Sequence, residues 1–223
     1  MMPFEGGVES PGNATFIFSC AAALLYGTMA AAPPRFVASV VKTLAVALLA
    51  VLAGMQQGHW LLVLALALSA AGDLFLSRPG EKAFLAGLAS FLLAHIAYIA
   101  LFAIVGGGPG VLVAAPWRGA LAAVLVVYGL GMLMLLMRRI GPSLRGPVTV
   151  YIVAILCMGV SALTLDAPLV IAGALLFMAS DTLLATEKFL LPAISRQRDW
   201  MRYAVWASYY LGQMAITLGL ISF

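Results

Sequence analysis

The sequence predicts an all-α fold, a polytopic membrane helix bundle of eight transmembrane helices. Three observations predict it. Of 223 residues, 64% are hydrophobic and only 9% charged, where a soluble domain carries about a quarter of its residues as charges. The apolar residues gather into eight runs of spanning length. The basic residues then fall on one side of those runs, the pattern that cytoplasmic loops carry.

The first run, residues 14–32, follows an acidic tail, 1–13, with the sequence MMPFEGGVESPGN. That tail lacks the basic region of a signal peptide, so the run reads as a span. Pro33 and Pro34 end it. The second run, 36–55, closes at Gln56-Gln57-Gly58, and the third, 60–76, at Arg78-Pro79-Gly80. The fourth, 84–105, runs into a glycine-rich turn at 106–109, and the fifth, 117–137, stops before Gly141-Pro142. The sixth, 148–165, is broken at 166–168; the seventh, 169–185, gives way to a charged stretch after Glu187; the eighth is 200–221. Little chain is left between runs, so one membrane domain over 1–223 is expected.

Orientation follows from the cations. Arg35, Lys42, Arg78, Lys82, Arg138, Arg139, Arg145, Lys188, Arg196, Arg198 and Arg202 lie on connections at one end of the bundle or just inside the flanking helices. These are eleven of the 12 Lys and Arg, leaving Arg118 with the acidic tail at the other end. The positive-inside rule puts both termini outside the cytoplasm and the basic end within it. The net charge of +4 therefore reflects topology and needs no nucleic-acid partner. Abundant Ala and a preference for Arg over Lys point to a GC-rich bacterium, hence a bacterial inner (plasma) membrane. Cys20 and Cys157 fall inside spans without metal-type spacing and read as packing residues.

Polar groups collect at the basic end. Lys42, Asp73 and Asp181 all lie within roughly 10 Å of helix ends there, at 1.5 Å per residue. Deeper are His95, Tyr98, Tyr210 and Gln213. Singly, each has a plain structural explanation. Lys42 can snorkel to the interface, Asp73 can pair with Arg78, Tyr98 can belong to an aromatic belt, and His95 and Gln213 can tie helices together. Jointly they describe a polar cavity, because each polar group inside a membrane is costly. In the fourth span Gly87, Phe91 and His95 are spaced i, i+4, i+8, and Tyr98 follows three residues on, so all line one face. "AGDLFL" from Ala71 aligns with "ASDTLL" from Ala179, and "SFLLAHIAY" from Ser90 with "SYYLGQMAI" from Ser208. Asp73 thus corresponds to Asp181, and His95 to Gln213, which suggests two parallel four-helix repeats.

The residue set narrows the chemistry. With only two His, of which His59 is in an outer loop, no three-His zinc site can form. No Gly-x-Ser-x-Gly elbow is present. The Gly-x-Gly-Asp motif of intramembrane aspartyl proteases is missing too, since position 70 is Ala. Two carboxylates remain, and such a pair runs acid/base hydrolysis when one is protonated and the other ionised. The same acids would suit a proton-coupled lipid or small-molecule transporter. That alternative stays open, although the prolines fall at helix ends rather than interrupting helices.

Several motifs occur in order: Lys42, "GDLFL" at 72–76, "FLAGLASFLLAHIAY" at 84–98, "YIVAILCM" at 151–158, "GALLFMASDTLLATEKF" at 173–189 and "YLGQ" at 210–213. In these the chain resembles the lysoplasmalogenase family of YhhN-like integral membrane proteins over nearly its whole length. It departs from the family pattern at Thr43, where Pro is common, and at Gly212, where Ala is usual. The resemblance implies hydrolysis of the vinyl-ether bond of a lysophospholipid drawn from the membrane, a lysoplasmalogen, to a fatty aldehyde and a glycerophospho-head group. Asp73 and Asp181 would be catalytic, and no metal or organic cofactor is needed. Lys42 or nearby Arg residues would meet the phosphate. Tyr151, Tyr210, His95 and Gln213 would position water and the glycerol hydroxyl, with Tyr98 and Ser180 in the same substrate-binding set.

Labelling single cysteines placed at Ser10 and Ser195 with a membrane-impermeant reagent tests the topology. The two sites should react from opposite faces of the membrane; reaction from one face would overturn the orientation.

Overall fold

The architecture is given by a computed structural model that describes residues 3–32, 35–192 and 194–222. The helices follow the apolar runs because only a helix satisfies every backbone group within its own segment in hydrocarbon. In order they are α1 (Pro11–Gly27), α2 (Phe36–Met55), α3 (Trp60–Leu76), α4 (Glu81–Val105), a short α5 (Gly110–Ala114), α6 (Pro116–Met137), α7 (Pro142–Ala162), α8 (Pro168–Ala185) and α9 (Gln197–Ile221). A π-helical turn, Thr186–Leu190, continues α8. Among the described residues there is no strand.

Among the described residues six helices are long and apolar enough to cross a membrane: α2, α4, α6, α7, α9, and α8 taken with its π turn. The protein is a helical integral membrane bundle. Helices α1 and α3 have 17 residues each, about 25 Å at the helical rise, a little short of a hydrocarbon core of roughly 30 Å.

Boundaries at 36–55 and 60–76 coincide with the expected ones. Elsewhere the helices extend past the apolar runs, because hydropathy registers only the greasy part of a helix. Helix α1 starts three residues early: Pro11 occupies its first turn, where no N–H is needed, and Ser10 Oγ accepts from the Asn13 N–H at 3.4 Å. It stops at Gly27 rather than 32, and the expected break at Pro33 and Pro34 lies outside the described residues. Helix α7 likewise begins at Pro142, six residues before the expected start, and carries Pro147 within it.

Neighbouring helices pack as α1 on α2, α2 on α3, α3 on α4 and α8 on α9, while α4 meets α7 and α9 meets α1 and α2. The closest approach is between α8 and α9. A Cβ on Gly173 would lie 2.7 Å from Gly212 O, and one on Gly212 would lie 2.9 Å from Gly173 O. Only glycine permits two helical backbones so near each other. Gly87 plays a similar part on α4, where a Cβ would meet the Leu76 side chain of α3 at 2.6 Å. Side chains such as Leu49, Leu62, Phe102, Met158 and Phe177 fill the interior. Helix α6 stays at the edge, against α5 and α7, with most of its surface turned outward.

Candidate active site

Asp73 sits in the last turn but one of α3 and is only 1% exposed. A carboxylate buried this completely has to be compensated, and two helices supply what it needs. Lys42 of α2 places Nζ 2.9 Å from Oδ1. Tyr209 of α9 donates its hydroxyl to Oδ2 at 2.8 Å. Lys42 also lies 5.8 Å from the Tyr26 ring centroid, so α1 closes over the cation. Ser77 stays local, donating Oγ to the Asp73 carbonyl at 2.7 Å.

Asp181 has different company. Tyr151 of α7 donates to its Oδ2 at 2.8 Å, and His95 Nε2 of α4 lies 3.5 Å from the same oxygen. The His95 ring is fully buried. It packs on Phe177 with centroids 4.8 Å apart and edge-on to Tyr151 at 5.2 Å. Because the π turn carries the helical chain on to Leu190, Asp181 lies nine residues from the end of that segment rather than the four expected from 185.

Both carboxylates line one cavity of about 300 Å³ at the basic end of the bundle, together with Lys42, Ser180, Tyr209, Arg35, Glu187 and Arg202. Leu76, Phe91, Asp181 and Leu184 also border a second cavity, of about 90 Å³, whose remaining wall is mostly apolar: Met132, Leu136, Ile152, Ile155, Leu156 and Met178 among others. Asp181 therefore stands at the junction of a polar and an apolar compartment. At the rim Glu187 accepts from Arg202 Nε at 3.0 Å and pairs with Arg198 at 3.3 Å, while Arg198 also donates to the Glu187 carbonyl at 2.8 Å. Among the described residues no three His, Cys, Asp or Glu side chains converge as a metal ion would need.

The expected site residues thus divide. Lys42, Asp73, Ser180 and Asp181 share the polar cavity, with Ser180 Oγ donating to the Val205 carbonyl at 3.1 Å. Tyr151 and His95 hold Asp181 from behind. Tyr98, Gln213 and Tyr210 do not border either cavity. Tyr98 donates to Gln213 Oε1 at 2.5 Å, and Gln213 Nε2 donates to Ser69 Oγ at 3.0 Å, in a fully buried chain linking α4, α9 and α3. The Tyr210 hydroxyl turns to α1 and shares a hydrogen bond with Ser19 at 2.8 Å. Of the adjacent pair on α9 it is Tyr209, not the expected Tyr210, that meets a carboxylate. A signal for it existed: Arg202, Trp206 and Tyr209 are spaced i, i+4, i+7 on one face of α9.

A model of the YhhN family matches residues 37–220. Two proteins named lysoplasmalogenase, from Mycobacterium bovis (strain ATCC BAA-935 / AF2122/97) and Mycobacterium tuberculosis (strain CDC 1551 / Oshkosh), are each 37% identical over 192 residues, 83% of this chain and 69% of theirs. A Sus scrofa protein named lysoplasmalogenase TMEM86B is 34% identical over 154 residues, 69% of this chain and 60% of its own. No solved structure matches significantly.

Removing Lys42 should leave Asp73 buried without its counter-charge. Lys42→Met is expected to lower thermal stability in detergent, by ~3–5 kcal/mol if Asp73 stays ionised. Adding Asp73→Asn to that variant should recover much of the loss. A Lys42→Met protein as stable as the wild type would return Lys42 to the role of a snorkelling interface residue.

Proposed function

Because the chain belongs to the YhhN family, we propose that it is a membrane-embedded hydrolase that cleaves the vinyl-ether bond of lysoplasmalogens, releasing a fatty aldehyde and a glycerophospho-head group. The observation that carries the reading is the placement of Asp73 and Asp181, from helices far apart in sequence, on one cavity that adjoins an apolar one. A lysolipid has the same two-part character. Its alkenyl chain fits the side lined by Met132, Leu136 and Ile155, and its phosphate the side of Arg35, Lys42 and Arg202, which puts the scissile bond beside Asp181.

The chemistry needs one acid and one carboxylate. A carboxyl group protonates the outer vinyl carbon, and the carbon bonded to oxygen becomes an oxocarbenium ion. The second carboxylate stabilises that cation and takes a proton from the water that attacks it. The hemiacetal then collapses: its C–O bond to glycerol breaks, its hydroxyl proton passes to the glycerol oxygen and the aldehyde leaves, while the proton taken from water restores the acid. One water is consumed and both carboxyl groups return to their starting states, the logic of a glycosidase pair set in a membrane. Ser180, on the polar cavity, and Tyr151, on the apolar one beside Asp181, would orient water or the glycerol hydroxyl. Tyr98, Gln213 and Tyr210 would act on the site through the helices they join.

The eight long helices cross a bacterial plasma membrane as one domain, built from two parallel four-helix repeats that each contribute one acid. Both termini lie outside, and the site is near the cytoplasmic surface.

Incubating the purified protein with vinyl-ether, alkyl-ether and acyl lysolipids, with aldehyde scored by mass spectrometry, tests this. Aldehyde should come from the vinyl ether alone; a transporter would release none. Asp73→Asn and Asp181→Asn should each lose several orders of magnitude in turnover, with the double variant little worse than either single. Near-wild-type turnover in either Asn variant would contradict acid/base catalysis by the pair.

A further inference from the structure

Proton placement at the site turns on one nitrogen. His95 Nδ1 lies 2.7 Å from the carbonyl oxygen of Phe91, one turn earlier on α4. A carbonyl can only accept, so Nδ1 carries hydrogen there, and Nε2 of the neutral ring is left as a bare acceptor. Nε2 is buried and has no hydrogen-bond partner, yet it faces Asp181 Oδ2 at 3.5 Å. An ionised Asp181 would set one acceptor against another in a dry wall; a single proton between them removes the conflict.

The surroundings decide which partner bears that proton. The ring is closed in by Phe177 and Tyr151, so an imidazolium would be a buried charge with little to solvate it. Asp181 is 12% exposed, borders the polar cavity and already accepts from Tyr151. The groups that face it can be named element by element. Tyr151 comes from α7 and His95 from α4. Across the cavity are Asp73 of α3, Lys42 of α2 and Arg35 just before it, Tyr26 of α1, Tyr209 and Arg202 of α9, and Glu187 of the π turn, with Tyr128 of α6 and Lys188 on the apolar side. Lys42 is engaged by Asp73 and Arg202 by Glu187. Among the described residues His95 is the only basic side chain within ion-pairing distance of Asp181. Asp73, with a cation on one oxygen and a hydroxyl donor on the other, is held as the ion.

We propose that His95 is a positioning residue that keeps the reactive proton on Asp181, which makes Asp181 the general acid of the pair and Asp73 its ionised partner. The proposal rests on reading the two acids as one catalytic unit. On substrate entry the outer vinyl carbon competes with Nε2 for the Asp181 proton. Once that proton has moved to carbon, Asp181 is a carboxylate, and a proton released from the attacking water, by way of Asp73, restores it.

His95→Asn is the discriminating variant, since its amide can still donate to the Phe91 carbonyl while Nε2 is gone. Infrared spectroscopy of the substrate-free protein should show, at neutral pH, the C=O stretch of a protonated carboxylic acid. That band should vanish in Asp181→Asn and persist in Asp73→Asn. In His95→Asn it should disappear about one pH unit lower than in the wild type. Turnover of His95→Asn at neutral pH should fall by roughly 10²-fold, with KM within about twofold, and recover as the pH is lowered. A merely structural role would cost stability and leave both pH dependences in place. The proposal is overturned if the wild type shows no such band at neutral pH, if the band belongs to Asp73, or if it titrates unchanged in a stably folded His95→Asn. Should that variant not fold, the wild-type band and its assignment decide alone. The spectra need no substrate, so they stand even if no lysolipid yields aldehyde, while aldehyde release without the band would leave the functional reading intact and remove His95 from it.

Discussion

The basic end of the bundle is organised around a carboxylate that hydrocarbon cannot tolerate uncompensated. Asp73 is all but inaccessible, and it is held by Lys42 from α2 at 2.9 Å and by Tyr209 from α9 at 2.8 Å. Breaking a buried pair by removing one partner costs far more than the pair contributes to stability, so the three helices are constrained to converge there. Everything else at this end is arranged around that convergence. Tyr26 and Trp206 line the cavity over the cation, and the Glu187–Arg202 pair forms the rim. The cavity is the space left between helices that polar contacts, rather than tight apolar packing, hold together.

The second acid is managed differently, and the contrast gives the site its chemical asymmetry. Asp181 has a hydroxyl and an imidazole rather than a cation, and it touches both the polar and the apolar compartment. Its position depends on two features of the helix that carries it. Close glycine contacts pull α8 onto α9, and the π turn continues the helical segment beyond Ala185, so that Asp181 lies within it rather than at its end. A π turn in a membrane helix frequently marks a functional position; here its Glu187 borders the polar cavity, while Lys188 and Phe189 border the apolar one.

Much of this was legible in the sequence. The apolar runs located the long helices, and the two acids stood out because intramembrane carboxylates are costly. Lys42 belongs to the polar set by its position, as a partner for one of the acids, but the 31 positions separating it from Asp73 carry no periodic signal to say which acid it meets. Tyr210 was preferred to Tyr209 although adjacent residues on a helix point about 100° apart, and the phase relative to Trp206 favours Tyr209. Tyr98 and Gln213 were correctly read as polar groups in the interior, yet they satisfy each other, as a deep hydrogen-bonded pair must when no water reaches it. The π turn leaves no trace in hydropathy, which is why the end expected at 185 falls short of Leu190, to which the helical segment that carries Asp181 runs on.

The proposed reaction requires a fixed acid over one face of the vinyl carbon and a carboxylate to stabilise the cation that forms. The most direct measurement is hydrolysis of a vinyl-ether lysolipid in deuterated, 18O-labelled water, with the aldehyde reduced as it is released. A fixed acid delivers one deuterium to a single face, so the resulting alcohol should be one enantiomer at the carbon next to the original carbonyl. The glycerophospho product should carry no 18O, because water attacks the vinyl side of the ether oxygen. A racemic deuterated alcohol, or 18O in the glycerol hydroxyl, would contradict protonation by a positioned carboxyl group.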